Sequence, residues 1–576
     1  IMNKIKSCIA RDAEEYERKI DLSSISNEKA FKFIFITGGV ISGLGKGIVT
    51  ASIGRILKSK GFSVSAIKID PYLNYDAGTL RPTEHGEVWV TEDGGEIDED
   101  LGHYERFMDI TLTKDHNITS GKIYYTVISK ERRGEYLGQT VQPIPHVTNE
   151  IKAWIRRVAE RSKVDFLLIE IGGVVGDYEN VLFLEAARQM KIEEPNKVLF
   201  IHVAYLPVPK TLGEMKTKPV QHSVQRLREI GIQPDFIIAR SEYELDEPRR
   251  RKIALYCNVG EDSIFSDPDL ENIYELPLIF EKQGLGDKIL ERFGLKPMAT
   301  DLSEWREFVE SIKNYRDTVK IAIIGKYFSI GKYILPDAYV SVIEAIKHAS
   351  AYYRVKPLID YINAELLESD GSLLEKLMEY NAIIVPGGFG AKGVEDKIKA
   401  IKIARENKIP FLGLCYGFQL AVVEYARNVC GLEGAHTTEV DLNTPHPVID
   451  LLPEQRRILM EKKIGASMRL GGHKVILKKG SLAYKLYGRE VVIERFRHRY
   501  EINPDYVDRL EEHGLIFSGE SEDGIKQVGE LSTDVHPFFI GSQFHPEFTS
   551  RPLNPNPLFK GLIEAAIKDK ETRFKS

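Results

Sequence analysis

Short apolar runs alternate with longer stretches of helical periodicity along most of this chain. The first run, Phe31 to Thr37, stops in a glycine-rich loop, and a helical pattern follows over residues 46–60. Gly61 stands where a helix ends in a left-handed turn, and a second run, Phe62 to Ile69, follows at once. Strand, loop, helix and strand in this order open a parallel sheet with helices on both faces. Three further buried-type runs are Val164 to Ile171, Val198 to Ala204 and Asp235 to Ala239. Helical stretches near 147–162, 219–230 and 247–256 separate them. Over residues 291–318 the pattern becomes polar and amphipathic, most clearly from Leu302 to Tyr315, and reads as a linker. Apolar runs resume at Lys320 to Gly325. Later ones end in Pro386-Gly387-Gly388-Phe389-Gly390 and in Cys415. The reading is α/β throughout: an extension (1–30), a first sheet domain (31–290), the linker (291–318), a second domain (319–565) and a tail (566–576).

Composition bounds this picture. A chain of 576 residues favours two or more cores. Lys plus Arg number 79 against 85 Asp plus Glu, a net charge of −6, which gives no support for broad attraction to nucleic acid or membrane. No apolar run approaches the roughly 20 residues that span a bilayer. Residues 1–30 are charged and lack the apolar core of a secretory signal, so a solvated extension is expected there, with a short helix over 10–20 as the alternative. The cysteines Cys8, Cys257, Cys415 and Cys430 lie far apart without zinc-like spacing, and so few fit the reducing cytoplasm.

The loop Gly38-Gly39-Val40-Ile41-Ser42-Gly43-Leu44-Gly45-Lys46-Gly47 predicts a phosphate site. Glycines let backbone N–H groups converge on phosphate oxygens, the following helix directs its positive end there, and Lys46 adds a full charge. The spacing departs from the ordinary P-loop, and Gly47 stands where a metal-ligating Ser or Thr is usual. Other oxygens must then hold a metal. Asp93, Glu96, Asp98, Glu99 and Asp100 crowd the segment Thr91 to Gly102, and Glu170 closes an apolar strand, where ligand groups gather in open α/β sheets. The segment Lys216-Thr217-Lys218-Pro219-Val220-Gln221 predicts either a second polyphosphate contact or a solvated charged face.

Phe411 to Leu414, Cys415 and Gly417 read as strand, nucleophile and helix, a sharp elbow that exposes sulfur at a helix N-terminus, where its reactive form is favoured. His545 can take the proton and Glu547 can orient the imidazole. N–H groups of the Gly387-Gly388 turn would stabilise an oxyanion. Cys8, Cys257 and Cys430 lack such surroundings and read as structural. One site breaks an amide and the other handles nucleotide phosphate, which suggests ammonia made at one and spent with ATP at the other.

At these residues the chain resembles the CTP synthase family of glutamine-hydrolysing UTP amidoligases, over roughly residues 31–560. The matching stretches include Thr37 to Gly47, Lys68-Ile69-Asp70-Pro71-Tyr72, His85-Gly86-Glu87-Val88, Leu101 to Phe107, Gly176 to Glu179 and Lys216 to Ser223. Around Cys415, His545 and Glu547 the second half is similar to class I glutamine amidotransferases. The resemblance implies a P-loop-type parallel-sheet domain followed by a flavodoxin-like amidotransferase domain. It implies that Gly43, Leu44, Gly45, Lys46, Gly47, Ile48, Lys68 and Asp100 bind ATP, and that Asp100 and Glu170 hold Mg²⁺. By the same resemblance Ser42, Asp177, Tyr178, Glu179, Lys216, Lys218, Gln221 and Lys252 would form the pocket for UTP and CTP. Gly388, Tyr416, Gly417, Phe418, Gln419, Glu439 and Arg499 would hold glutamine. GTP as activator, CTP as product inhibitor, and a homotetramer that sometimes forms filaments are also implied. Val174, Tyr416, Phe418 and Phe496 depart from the usual Thr, Leu, Met and His of similar sequences. The rival readings are another P-loop amidoligase fused to a glutaminase, such as a cobyrinate-type amidase, and a catalytically idle nucleotide-binding assembly protein. Competition by UTP would separate the first, and trapping of Cys415 by a glutamine-analogue electrophile the second.

Overall fold

Strands that must be apolar on both faces belong in the middle of a parallel sheet covered by helices, and the first half is built this way. The computed structural model describes residues 31–80, 86–326, 329–330, 333–334, 336–367, 371–451 and 468–575; the expectations for residues 1–30 and for His85 lie outside them. Strands β1 (Lys32–Gly39), β2 (Val64–Asp70), β5 (Asn117–Thr119), β6 (Phe166–Ile171), β7 (Val198–Tyr205), β8 (Phe236–Ser241) and β9 (Ile264–Pro268) form one parallel sheet in the order β5-β2-β6-β1-β7-β8-β9. Between β2 and β5 a small antiparallel hairpin, β3 (Val88–Val90) with β4 (Glu96–Asp98), stands outside the sheet. Helices α1 (Lys46–Ser59), α2 (Asp100–Met108) and α3 (Lys218–Glu229) carry the residues that matter below. Three apolar clusters, spread over both sides of the sheet, form the core.

The stretch read as a linker is more than a connection. Its amphipathic part is helix α4 (Ser303–Lys313), whose apolar stripe of Trp305, Phe308 and Val309 is buried in the first core. Trp305 Nε1 donates to the Tyr274 carbonyl at 2.9 Å. The helix Leu285–Arg292 likewise closes the first domain, with Leu285, Ile289 and Leu290 buried.

The second sheet is mixed. Strands β10 (Asp317–Gly325), β11 (Val355–Asn363), β12 (Ala382–Val385), β13 (Phe411–Leu414), β14 (Arg469–Leu477), β15 (Val491–His498), β16 (Ile516–Glu520), β17 (Lys526–Glu530) and β18 (Phe539–Ser542) lie in the order β11-β10-β12-β13-β18-β17-β16-β14-β15. The first five in this spatial order are parallel and the rest antiparallel. Helices α5 (Val340–Tyr353), α6 (Tyr416–Asn428) and α7 (Pro557–Lys575) pack on it. Residues 566–575, expected as a tail, are the second half of α7, in which Leu562, Ile563 and Ala566 are buried against the sheet.

Candidate active sites

The end of β1 opens into the phosphate loop, and α1 starts at Lys46. Gly45 precedes it with φ 77°, a left-handed turn. A side chain at Gly47 would place its Cβ 1.9 Å from Asp100 Oδ1. The serine or threonine of an ordinary P-loop is therefore replaced for a steric reason: the carboxylate of the neighbouring helix α2 occupies its place. Lys46 Nζ donates to the Gly173 carbonyl at 3.1 Å. Burial lowers its pKa, and Glu170 opposes that shift.

Lys68, near the end of β2, is directly opposite Glu170 on β6 in the sheet register. It is bonded to Glu170 Oε1 at 2.9 Å and to Asp100. Burial alone would discharge it, but Asp100, Glu170, Asp98 and Asp70 hold its pKa well above the ordinary lysine value. Burial raises Asp70 to about 6 and pushes Asp98 well above the carboxylate range. Asp100 is lowered because Lys68 outweighs its burial. Tyr104, one turn along α2 from Asp100, donates to Glu170. Of the acidic candidates in 91–102, only Asp98 and Asp100 face this centre. Asp93 ties a turn by accepting from Thr91 Oγ1 at 2.6 Å, Glu96 pairs with Arg497 at 2.8 Å, and Glu99 accepts from the Glu87 N–H at 3.4 Å. Asp70 and Tyr104 join the site although motif spacing alone assigns them no role; both lie inside stretches that match the family. Among the described residues no three His, Cys, Asp or Glu side chains converge into a ready metal cage. The buried Glu170 and the partly buried Asp100 beside this loop instead suit Mg²⁺, which completes its shell with phosphate and water oxygens.

Lys216, Lys218, Gln221 and Lys252 line one open cavity of about 490 Å³ with Glu214, Arg249 and Tyr256. Gln221 Nε2 donates to Thr217 Oγ1 at 3.0 Å, and Lys218 Nζ lies 5.8 Å over the Tyr256 ring. The charged segment therefore borders a cavity, with Lys218 itself exposed. Ser42, Asp177, Tyr178 and Glu179 line a different place, the rim of the phosphate loop. Asp177 accepts from the Val174 N–H at 2.7 Å, and Tyr178 is 95% exposed.

Cys415 sits at the elbow between β13 and α6 with φ 51° and ψ −101°. The turn is possible because residue 417 is glycine: a Cβ there would lie 1.9 Å from the Val385 carbonyl oxygen. The thiol donates to the Arg497 carbonyl at 3.7 Å and accepts from Gln543 Nε2 at 3.5 Å. His545 Nδ1 meets Glu547 Oε1 at 2.7 Å, while Nε2 has no hydrogen-bond partner among the described residues. A Cβ built on Gly387 would lie 3.0 Å from His545 Cε1 and 3.8 Å from Cys415 Cβ, so thiol, imidazole and turn face one another. Burial disfavours the charged imidazole, but Glu547 and then Cys415 outweigh it and push His545 up to about 10. The pair thus contributes stability that is fully present below about 6.5, the unfolded histidine value, and is lost as pH rises through about 10. Glu547→Gln is expected to flatten the dependence of melting temperature on pH between these limits. An unchanged slope in calorimetry would contradict the ion pair.

Gly388 and Arg499 line the same cavity as Cys415. Glu439 accepts from the Gly390 N–H at 2.8 Å, and the Tyr416 hydroxyl donates to the Gly390 carbonyl at 3.0 Å, so both brace the turn. Phe418 points into the core, where its ring fills the space over Gly529 and Gly541; only its backbone faces the elbow. Gln419 Nε2 donates to Gln543 Oε1 at 3.1 Å, which orients the amide that touches the thiol. Sequence reasoning missed Gln543, although it lies two residues before His545. Phe496 is buried beneath the Arg469 guanidinium, 5.4 Å over its ring. Val174 contributes through its backbone, donating to Asp177 and accepting from Asn180 Nδ2 at 2.9 Å.

The cavity at Cys415, about 230 Å³, is walled from both halves: Gly78, Leu80, Glu87 and Val88 from the first, and Gly387, Arg497, His545 and Phe548 from the second. Glu87 is held by the Ser341 N–H at 3.0 Å, and burial raises its carboxyl to about 7.

Two family profiles match the chain: CTP synthase N-terminus over residues 32–295 and class-I glutamine amidotransferase over residues 334–565. The CTP synthase of Thermococcus kodakarensis is 57% identical over 541 residues, which cover 94% of this chain and 99% of that protein. That of Methanopyrus kandleri is 55% identical over 538 residues, covering 93% and 99%. Among solved structures, the glutaminase domain of the Trypanosoma brucei CTPS with bound acivicin is 35% identical at a TM-score of 0.40, covering 43% of this chain and 94% of that one.

Proposed function

The chain belongs to the CTP synthase family, and from that premise we propose how its own residues divide the reaction. The reaction is the ATP-dependent amination of UTP to CTP with glutamine as nitrogen source. Cys415 Sγ attacks the side-chain amide carbon of glutamine. His545, oriented by Glu547, protonates the departing nitrogen, and ammonia leaves. Water then hydrolyses the glutamyl thioester to glutamate and frees the sulfur. The Gly387-Gly388 turn suits the developing oxyanion, and Arg499, Glu439 and Tyr416 suit the amino-acid end of glutamine.

In the first half the γ-phosphoryl group of ATP passes to O4 of UTP and leaves ADP. Ammonia then bonds to C4 and loses a proton as inorganic phosphate departs. Residues 43–48 cradle the triphosphate, and Lys46 and Lys68 hold the transferred charge, so catalysis here is mostly positioning. Mg²⁺, held by Asp100 and Glu170, would supply further neutralisation of phosphate charge. Lys216, Lys218, Gln221 and Lys252 suit the UTP triphosphate, and CTP as product would compete there. The Ser42 and Asp177–Glu179 group borders the phosphate loop instead, and would reach the same nucleotide from its other end. In this reading the synthetase domain spans 31–290 and the amidotransferase domain 319–565, with GTP as activator and a cytoplasmic setting. No helix among the described residues is long and apolar enough to cross a membrane. A homotetramer, with filaments as a further level, is supported by apolar side chains left on the surface of the first domain: Leu73, Leu137 and Tyr178 are exposed, as are Tyr75 and Tyr125, whose rings meet edge to face at 5.9 Å.

One observation carries the reading: the cavity that holds Cys415 and His545 is walled by residues of both halves, which puts the release of ammonia at the domain boundary. Product analysis with ATP, UTP, Mg²⁺ and glutamine, omitting each in turn, tests it. CTP, ADP, phosphate and glutamate should appear together in equal amounts. CTP from added ammonia but none from glutamine, in the wild-type protein, would refute the passage between the halves.

A further inference from the structure

Glu105 lies on α2, five residues after Asp100 and one after Tyr104, and it faces the second half. It is fully buried and accepts four hydrogen bonds. Arg495 Nη2 reaches its two oxygens at 3.1 and 2.8 Å, Arg551 Nη2 donates at 2.5 Å, and the Leu112 N–H at 2.9 Å. Both arginines come from the amidotransferase half. Arg495 also donates to the Val90 carbonyl at 3.1 Å and lies 5.3 Å over the Trp89 ring.

The same two arginines hold the amide-breaking machinery. The Arg495 carbonyl accepts from the His545 N–H at 2.8 Å, and two residues along β15 the Arg497 carbonyl accepts from the Cys415 thiol. Arg551 Nη1 donates to the Phe548 carbonyl at 2.9 Å, and the Phe548 ring is stacked on His545 at 5.1 Å. At the other end, α2 presents Asp100 to Lys68 and Tyr104 to Glu170. One carboxylate thus joins the backbone that places thiol and imidazole to the helix that places the phosphate-site acids.

We propose that Glu105, Arg495 and Arg551 are positioning residues that couple the two half-reactions. A buried charged cluster is a weak source of stability, since apolar side chains of similar volume would hold the surfaces as well. What it adds is one geometry. Charge-assisted hydrogen bonds from two guanidinium groups onto one carboxylate are directional, and a shift of β15 against α2 would leave a buried charge unpaired. The cluster therefore keeps the cavity at Cys415 aligned with the synthetase half, so that released ammonia is used rather than lost.

This inference rests on the two-site reading above. The test assays full-length wild type, Glu105→Gln and Arg551→Lys for CTP and glutamate made from glutamine, and separately for CTP made from ammonium chloride. In both variants CTP formed per glutamate released should fall about fivefold or more, the lower end of coupling between sites. Ammonia-dependent CTP formation should stay near wild type. An unchanged ratio in the variants, whether the two activities fall together or not at all, overturns the proposal and leaves the cluster a structural tie. Should Glu105→Gln not fold, Arg551→Lys decides on the same ratio, because it keeps the charge while a single ammonium cannot reach Glu105 and the Phe548 carbonyl as the two Nη atoms do. A wild-type protein that makes no CTP from ammonia would instead sink the two-site reading and this inference with it.

Discussion

Replacing Cys415 with alanine is expected to abolish glutamine-dependent CTP formation, by roughly a thousandfold or more, while CTP formation from added ammonia survives. Cys415 alone among the described cysteines has the geometry of a nucleophile. Its backbone is held at φ 51°, its sulfur is contacted by Gln543, and the imidazole of His545 shares its cavity. Cys257 is buried in an apolar cluster, which pushes its thiol up to about 11, and burial raises Cys430 as well. Neither can replace the lost sulfur. The substitution removes one atom from a site whose shape is set by Gly417, Val385 and the strands around them, so the fold and the synthetase half should be untouched. Measuring CTP with each nitrogen source decides the matter. Equal loss of both activities would refute the division of labour between the halves.

Lys46→Ala is expected to do the reverse. CTP formation from glutamine and from ammonia should fall together by about a thousandfold, the lower end for removing a cation from a phosphoryl transition state. Glutamate release, whose nucleophile and base lie in the second half, should persist. Lys46 stands on the first turn of α1, is buried, and lies over Gly38, where an added Cβ would come within 2.8 Å of Nζ. Glu170, Asp100 and Asp177 all favour its charge against burial. A transferred phosphoryl group in this loop would lose its nearest ammonium, and the helix end alone carries only about half a charge. The assay follows ADP, CTP and glutamate in parallel. A variant that still makes CTP from ammonia at a rate close to wild type would sink the assignment of this loop.

Much of this architecture is legible in the amino-acid sequence, and the reason is range. Five of the seven parallel strands of the first half appear where uninterrupted apolar runs predict them, with ends shifted by one or two residues, because burial on both faces leaves one possible pattern; the short edge strands β5 and β9 carry no such run and the pattern does not anticipate them. The glycine-rich loop and the elbow are legible as shapes because glycine spacing and a strand-to-helix switch act within about ten residues. The antiparallel part of the second sheet is not. Strand β15 reads Val-Val-Ile-Glu-Arg-Phe-Arg-His, and its Glu494 and Arg495 are buried charges that no period-2 pattern anticipates. They are tolerated only because their partners, Tyr487 and Thr549 for the one and Glu105 for the other, arrive from elsewhere in the fold.

The acidic segment before α2 shows the boundary most clearly. Sequence alone predicted a glycine-rich loop ahead of a helix, an elbow at Cys415, and a cluster of carboxylates after Thr91. Which carboxylates stand beside the loop was decided by tertiary structure. The β3–β4 hairpin turns Asp93 and Glu96 away, α2 brings Asp100 against Gly47, and the pairing of β2 with β6 sets Lys68 beside Glu170. Local periodicity states what a residue prefers, but a buried charge is stable only beside its partner, and that partner is chosen by the order in which distant strands pack.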